Sequence, residues 1–472
     1  MSRGTTNAYA PVWACAALTG FFSGPSSFAS TPQAAIPALM AFAHVCVLPM
    51  DTNRVLHDQT VLVQGDKIAA IGSSIPVPKD ATVIDGHGSA CLSPGLADMH
   101  VHSDTAEDMK LFLANGVTTV LNMGHASEGF MGEVRPAING GKLPGPHVYV
   151  GLLVDGSAQF GNLFVTTPEE ARAIVDIAKT NGYDFIKVYS DLSAACFQAI
   201  IDEGKRRHMS IIGHGITRVG IEKQLAMGQI MVAHTEEFLY TVFSHPDLAA
   251  PNPASRDPTP PDPADIPRAI AFLKLDKAFV TADLNTYATI ARQWGKPDVL
   301  QAFMRSPELR YLSPMRRIKW NKSGYAERAG SVDANLAFLK RFTKDMAEAD
   351  VLLVTGTDTP SIPGLIPGYS LHDDMDTLEA AGLSRYKILA AATRTPGELI
   401  RRSIHDSEPF GTIAVGKRAD LVLSAGNPLD DLSTLRKPLG VMAKGKWYSR
   451  ADLQELLAQV DKEYKDAAAE GR

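Results

Sequence analysis

The chain has 472 residues, 45% hydrophobic and 21% charged, the make-up of a globular protein able to bury a large core. One large domain with an appendage fits this length better than three small ones. A formal charge of −6 gives no basic field to neutralise phosphates, which argues against nucleic acid and leaves a small molecule as the expected partner.

In chain order, residues 1–29 read as an export signal. Arg3 is a lone early charge, an apolar stretch runs from about Ala8 to Phe22, and Ser27 and Ala29 stand where a signal peptidase would cut. That run is shorter than the roughly 20 residues that cross a bilayer, so no membrane attachment is expected after removal, and the location is periplasmic or secreted. An ill-ordered cytosolic tail is the alternative. Removing the segment leaves Cys46, Cys91 and Cys196, an odd set without close spacing, expected as small buried apolar residues rather than a disulfide framework.

Residues 30–93 form the first part of a β domain. From Ala41 to Ile71, apolar and polar residues alternate around the turn formers Asp51, Thr52, Asn53, Gly65 and Asp66, which predicts short antiparallel strands. A matching strand-rich block, residues 408–450, returns near the C-terminus, so the two ends should pair as one small discontinuous β-sandwich domain.

Residues 94–407 alternate strands with helices, the pattern of a parallel sheet with covering helices. Eight strand candidates, LADMHVH, VTTVLNM, HVYVGLLV, FIKVYS, SIIGH, IMVAH, AFVTADL and VLLVTGTD, predict an α/β fold of the (β/α)8 barrel type. In one intervening helix Thr167 is the expected N-cap, with Pro168 at N1, Glu170 completing a capping box, and Ala171, Ile174, Val175 and Ala178 on the apolar face. Thr395, Pro396 and Glu398 suggest a second such start. The Pro-rich stretch from His245 to Pro267 is too long for an ordinary connection and reads as a lid over the barrel mouth or as a surface excursion. Residues 451–472 form an amphipathic helix with Leu453, Leu456, Leu457 and Val460 on one side, suited to packing or oligomer contact, and a homo-oligomer is expected.

The chemistry concentrates at strand ends. His100 and His102 lie two apart, which on a strand turns both rings to one side. His214, His234 and Asp358 end three further strand candidates, and the C-terminal strand ends of such a barrel converge on one face. Each taken singly has a bland reading as a locally hydrogen-bonded side chain; together they make a set of metal-binding donors. Lys187 in FIKVYS is costly as a buried ammonium. As a neutral amine it can take up carbon dioxide to form a carbamate whose oxygens bridge two metals, the alternative being a lysine paired with Asp184 or Asp191. Residues 411–418, GTIAVGKR, imitate a phosphate-binding loop, but Arg418 replaces the required Ser or Thr and a strand follows, so that reading is rejected.

PGLADMHVH, GVTTV, FIKVYS, GH, AHTEE and TGTD, closed by GTIAVGKRADLVL, together resemble the imidazolonepropionase-related, prolidase-like branch of the amidohydrolase superfamily, over nearly the whole mature chain. The resemblance implies a two-metal centre, with zinc the expected ion. His100, His102 and Asp358 would bind the more buried metal, the Lys187 carbamate would bridge, and His214 and His234 would hold the second. It implies amide hydrolysis by a hydroxide held between the metals, with Asp358 as general acid and base. Prolidase-like dipeptidases and ochratoxin-type amidases are the nearest implied activities. Tyr189 could donate a hydrogen bond to the substrate carbonyl, or simply pack its ring; His125 could meet a substrate carboxylate, or sit solvated in its loop. Arg218 is a further carboxylate candidate, with a surface arginine the bland reading, and His372 is expected to cap or pack the last barrel helices. Leu121 and Asn122 stand where many relatives carry Arg-Asp, so their substrates do not transfer directly. The competing readings are a one-metal hydrolase of a cyclic amide, lactone or amidine, with Lys187 structural, and a non-catalytic barrel used only for binding.

Overall fold

The computed structural model describes residues 39–158, 163–244, 261–405 and 407–469. The proposed export signal and most of the proposed lid, residues 245–260, lie outside the described residues. All eight strand candidates of the middle region form strands: Leu96–Val101, Val117–Asn122, His147–Asp155, Phe185–Val188, Ser210–Gly213, Gln229–Val232, Phe279–Thr281 and Leu352–Val354. They pair in parallel in that order. The ring closes through a parallel bridge between Val101 and Thr359 and bonds from Met99 N to Thr355 O at 2.9 Å and Asp358 N to His100 O at 2.7 Å.

Strand residues Ala97, Met99, Leu121, Tyr149, Phe185, Ile212, Met231, Phe279 and Val354, with Met123 just past the second strand, pack with Leu399, Ile400 and Phe410 as one buried cluster, so the barrel interior is a filled core. Each such side chain removed from water contributes roughly 1.5–3 kcal/mol. The apolar outer faces of the strands meet the helices. Helix Pro168–Thr180 begins as its sequence dictates: Thr167 accepts from Glu170 N, Glu170 completes the capping box, and Ala171, Ile174, Val175 and Ala178 are buried. The second expected start is displaced. Helix Arg394–Ser403 follows helix Arg385–Ala392 directly, Thr393 is the break between them, and Thr395 lies inside the second helix rather than capping it.

The terminal segments build one eight-stranded sheet from Leu39–Val47, Leu56–Gln64, Lys67–Gly72, Thr82–Asp85, Cys91–Pro94, Leu421–Ser424, Gly440–Ala443 and Lys446–Ser449. The two chain ends meet where Cys91–Pro94 runs antiparallel to Leu421–Ser424. The strands expected from Ala41 to Ile71 pair antiparallel, Leu39–Val47 with Leu56–Gln64 and that strand with Lys67–Gly72, while beyond them Leu39–Val47 pairs in parallel with both Thr82–Asp85 and Cys91–Pro94. His44, at φ 52°, marks the change of partner along that strand. The cysteine expectation is corrected. Cys46 and Cys91 face each other in register and form a disulfide, whereas Cys196 is free and buried. Sequence spacing hides this pair, since only the sheet register brings residues 45 apart together.

Arg418 is a buried strut: it pairs with Asp420, donates to Thr119 Oγ1 at 2.8 Å in the second barrel strand, and lies over the Phe410 ring. This use of the guanidinium agrees with rejecting a phosphate loop. Helix Arg450–Ala469 buries Leu453, Leu456, Val460 and Tyr464 within the chain, packing along helix Ala106–Ala114, so packing accounts for its apolar face. His372, in helix Tyr369–Ala380 after the eighth strand, is buried and its Nε2 donates to Asn115 O at 2.9 Å, tying this last part of the barrel to the C-terminus of helix Ala106–Ala114 after the first strand. Among the described residues no helix is long and apolar enough to cross a membrane.

Candidate metal centre

The backbone at the strand ends is built for close approach. Gly213, at φ +136°, precedes His214, and a Cβ there would stand 2.2 Å from Val188 O. A Cβ on Gly356 would strike His100 Cβ at 2.8 Å, so only glycine lets the eighth strand's extension pass the first strand's histidine. Asp358 itself adopts φ 55°, an uncommon conformation that an aspartate tolerates better than most residues.

Asp358 is the meeting point. His102 Nε2 lies 3.1 Å and His100 Nε2 3.7 Å from Asp358 Oδ1. The His100 and His234 rings are 4.1 Å apart, and those of His214 and His234 are 5.0 Å apart. Lys187 is 1% exposed and feels the charges of Asp358, Glu237 and Asp283. Its expected alternative partners are engaged elsewhere: Asp184 with Arg135 at 2.6 Å, and Asp191 with Ser157 Oγ at 2.7 Å. The structure therefore brings His100, His102, Lys187, His214, His234 and Asp358 into one neighbourhood.

Every histidine of the group is held through Nδ1. His100 donates to Ala233 O at 2.9 Å and His102 to Gly124 O at 3.0 Å. His214 Nδ1 faces Glu237 Oε1 at 3.2 Å, and His234 Nδ1 bonds to Asp283 Oδ2. Asn122 supports His102 from behind, donating to Ser103 O at 2.9 Å and accepting from Gly124 N at 2.9 Å. Glu237 and Asp283 were not singled out in the sequence, although AHTEE and the Asp ending AFVTAD carry the same strand-end signal that marked the histidines.

Burial dominates the electrostatics. It holds His100 and His214 well below the ordinary imidazole value, with neighbouring positive charge acting the same way. It lowers the Lys187 amine to about 8 against the pull of Asp358, Glu237 and Asp283. Burial also raises Glu236 to about 8 and Glu237 to about 7. For Asp358 burial pushes upward, but His102, His234 and Lys187 hold the carboxyl below its usual value. For His234 burial pulls downward, and Asp283 overcomes it, raising the ring to about 9.

This donor set fits a divalent cation. A carbonyl only accepts, so Nδ1 of His100 carries the proton, and its neutral ring turns an Nε2 lone pair toward the Asp358 carboxylate. That Nε2 atom is buried and has no hydrogen-bond partner. His102 Nε2, 3.1 Å from the same Oδ1, joins the group through the hydrogen bond that helps hold Asp358 below its usual value. Acceptors facing one another repel, and a cation among them turns repulsion into ligation. Among the described residues two trios meet the spatial requirement, His100 with His102 and Asp358, and His100 with His234 and Asp283.

Beside the centre opens a cavity of about 720 Å³ lined by His214, His234, Glu236, Glu237 and Asp358 on the strand side. Tyr287, Ile290, Trp294, Tyr325, Arg328 and Ile362 also line it, with Tyr189 and Tyr240. The Tyr189 ring stacks on His214 at 3.9 Å. His125 is exposed beside His102, with ring centroids 5.4 Å apart, and does not line the cavity. Nor does Arg218, which is exposed after the fifth strand.

A closed parallel barrel with histidines and carboxylates gathered at its strand ends is the architecture of the amidohydrolase superfamily, and the chain has that superfamily's fold. Over 91% of this chain and 91% of the other, it superposes on a bottromycin amidohydrolase with TM-score 0.69 at 23% identity. It superposes on a putative prolidase from Bifidobacterium longum with TM-score 0.61 at 21% identity, over 90% of this chain and 99% of that one. By sequence it is 24% identical over 180 residues to a dihydroorotase of Anaeromyxobacter dehalogenans (strain 2CP-C). That match spans 38% of this chain and 38% of the dihydroorotase's length. No family model matches the chain.

Proposed function

We propose that this chain is a metal-dependent hydrolase that cleaves an amide bond in a small molecule, of the peptide, dipeptide or N-acyl amino acid class. The observation that carries the reading is the buried, unpartnered Nε2 of His100 turned toward Asp358. Fold likeness to a prolidase and an amidohydrolase supports the amide class.

In this reading His100, His102 and Asp358 hold one ion, and His214 and His234 hold a second. Zinc, when bound, supplies Lewis acidity and brings the pKa of water to about 7. Lys187, whose amine burial lowers to about 8, would add to carbon dioxide and release a proton, giving an anionic carbamate that would supply oxygen donors to the centre. Asp358, held ionised, takes a proton from the attacking water and returns it to the leaving nitrogen. Tyr189, whose phenol burial holds far above its usual value, stays protonated and donates to the substrate carbonyl. Export remains part of the reading, supported by the Cys46 to Cys91 disulfide, which suits an oxidising compartment.

Elemental analysis together with hydrolysis of dipeptides and N-acyl amino acids tests this. About two metals per chain are expected, with activity lost on chelation and restored by zinc, and Lys187→Ala should lose both one metal and the hydrolysis. An active metal-free protein overturns the proposal. A one-metal site acting on a cyclic amide, lactone or amidine is the second reading, favoured by the fact that both ligand trios share His100. One metal per chain, unaffected by Lys187→Ala, decides for it.

A further inference from the structure

We propose that Arg328 is the residue that recognises substrate in this cavity, and that the substrate is an amide bearing a free carboxylate and an apolar side group; the inference rests on the hydrolase reading above. Arg328 is the only arginine or lysine among the described residues lining the cavity, whose other ionisable groups are the carboxyls of Asp191, Glu236, Glu237 and Asp358 and the imidazoles of His214 and His234. An anion entering from solvent thus meets one fixed positive group away from the strand ends.

The guanidinium is half-buried and clasped between two rings, its carbon 4.7 Å from the Trp294 ring centroid and 4.9 Å from that of Tyr325. Trp294 is itself anchored, donating from Nε1 to Ala329 O at 2.8 Å. Among the described residues no carboxylate pairs with Arg328 in an ion pair. Stacking engages the faces of a guanidinium and leaves its N–H donors, which lie in the plane, along the edge. A planar fork already immobilised on two rings loses little further freedom when a carboxylate accepts two parallel hydrogen bonds from it.

Three features follow for the ligand. Its carboxylate meets Arg328, its apolar group packs on Tyr287, Ile290 and Ile362, and its carbonyl reaches the strand-end donors. The cavity, about 720 Å³, accommodates a ligand of that size. Carboxylate recognition, expected from the sequence at His125 or Arg218, moves to a residue that lines the cavity.

The test compares wild type with Arg328→Gln and Arg328→Lys, all metal-loaded, on N-acetylphenylalanine and its neutral carboxamide. Calorimetry in parallel measures binding of two ligands that do not turn over, 3-phenylpropionate and the uncharged ketone 4-phenylbutan-2-one. Wild type should favour the acid over the carboxamide by about tenfold or more in kcat/KM, mainly through KM. Arg328→Gln should bring that ratio toward one and weaken 3-phenylpropionate by about tenfold relative to the ketone, with Arg328→Lys between the two. Equal loss for charged and neutral ligands, or no preference in wild type, overturns the proposal. Binding that discriminates through Arg328 without hydrolysis of either amide upholds it and sinks only the hydrolase reading.

Discussion

Asp283 grips the Nδ1 of His234, a contact between the residue just past the seventh barrel strand and the one just past the sixth. Glu237 stands in the same relation to His214. A carboxylate behind a ligating imidazole fixes the ring's tautomer and makes its other nitrogen a better donor. Asp283→Asn should therefore weaken zinc binding by about 10- to 100-fold, read by competition with a chromophoric chelator. Affinity equal to wild type would remove Asp283 from any part in holding the centre.

Tyr189 offers a second test, because its two contributions separate. The ring stacks on His214 at 3.9 Å, and the residue also lines the cavity. Tyr189→Phe keeps the stacking and deletes the donor. We expect unchanged metal content and a fall in kcat of about 10²-fold or more, the cost of losing one donor to a developing oxyanion. A mutant that instead loses metal while its remaining holo fraction turns over normally would assign Tyr189 to packing.

Much of this architecture is legible in the sequence because local signals agree with the global fold. Each barrel strand is a short apolar run closed by a polar residue, and Thr167 with Glu170 announces its helix by chemistry that acts within four residues. Asp283 carries the same local signal, since it ends AFVTAD as His214 ends SIIGH and Asp358 ends VLLVTGTD. Other features depend on distance in sequence. Cys46 meets Cys91 only through strand register. Arg328 meets Trp294 across intervening loops and helices whose packing no periodic pattern specifies. The site's floor is thus written in strand ends, and its wall in tertiary contacts.

The disulfide yields a stability prediction. Cys46 and Cys91 join adjacent strands of the terminal sheet and close a loop spanning 45 residues of separation. The double variant Cys46→Ala, Cys91→Ala should unfold at lower denaturant, a loss of about 2–4 kcal/mol. Reducing agent should shift wild type by a similar amount and leave the variant unmoved. If reduction shifts both equally, the bridge is not the cause.

His372 links stability to pH. Its Nε2 donates to Asn115 O, its Nδ1 is buried without a partner, and burial lowers the ring to about 4. The unfolded chain binds this proton near pH 6.5, while the folded chain resists until about 4, so more protons are bound on unfolding within that window. The stability associated with the neutral ring is complete above pH 6.5 and declines as pH falls toward 4, at up to about 1.4 kcal/mol per pH unit. His372→Gln retains a donor but cannot take up the proton. Comparing urea midpoints from pH 7 to pH 4, the variant should show a shallower decline than wild type, whatever its stability at pH 7. Parallel declines would mean that His372 is not the group through which acid reaches this interface.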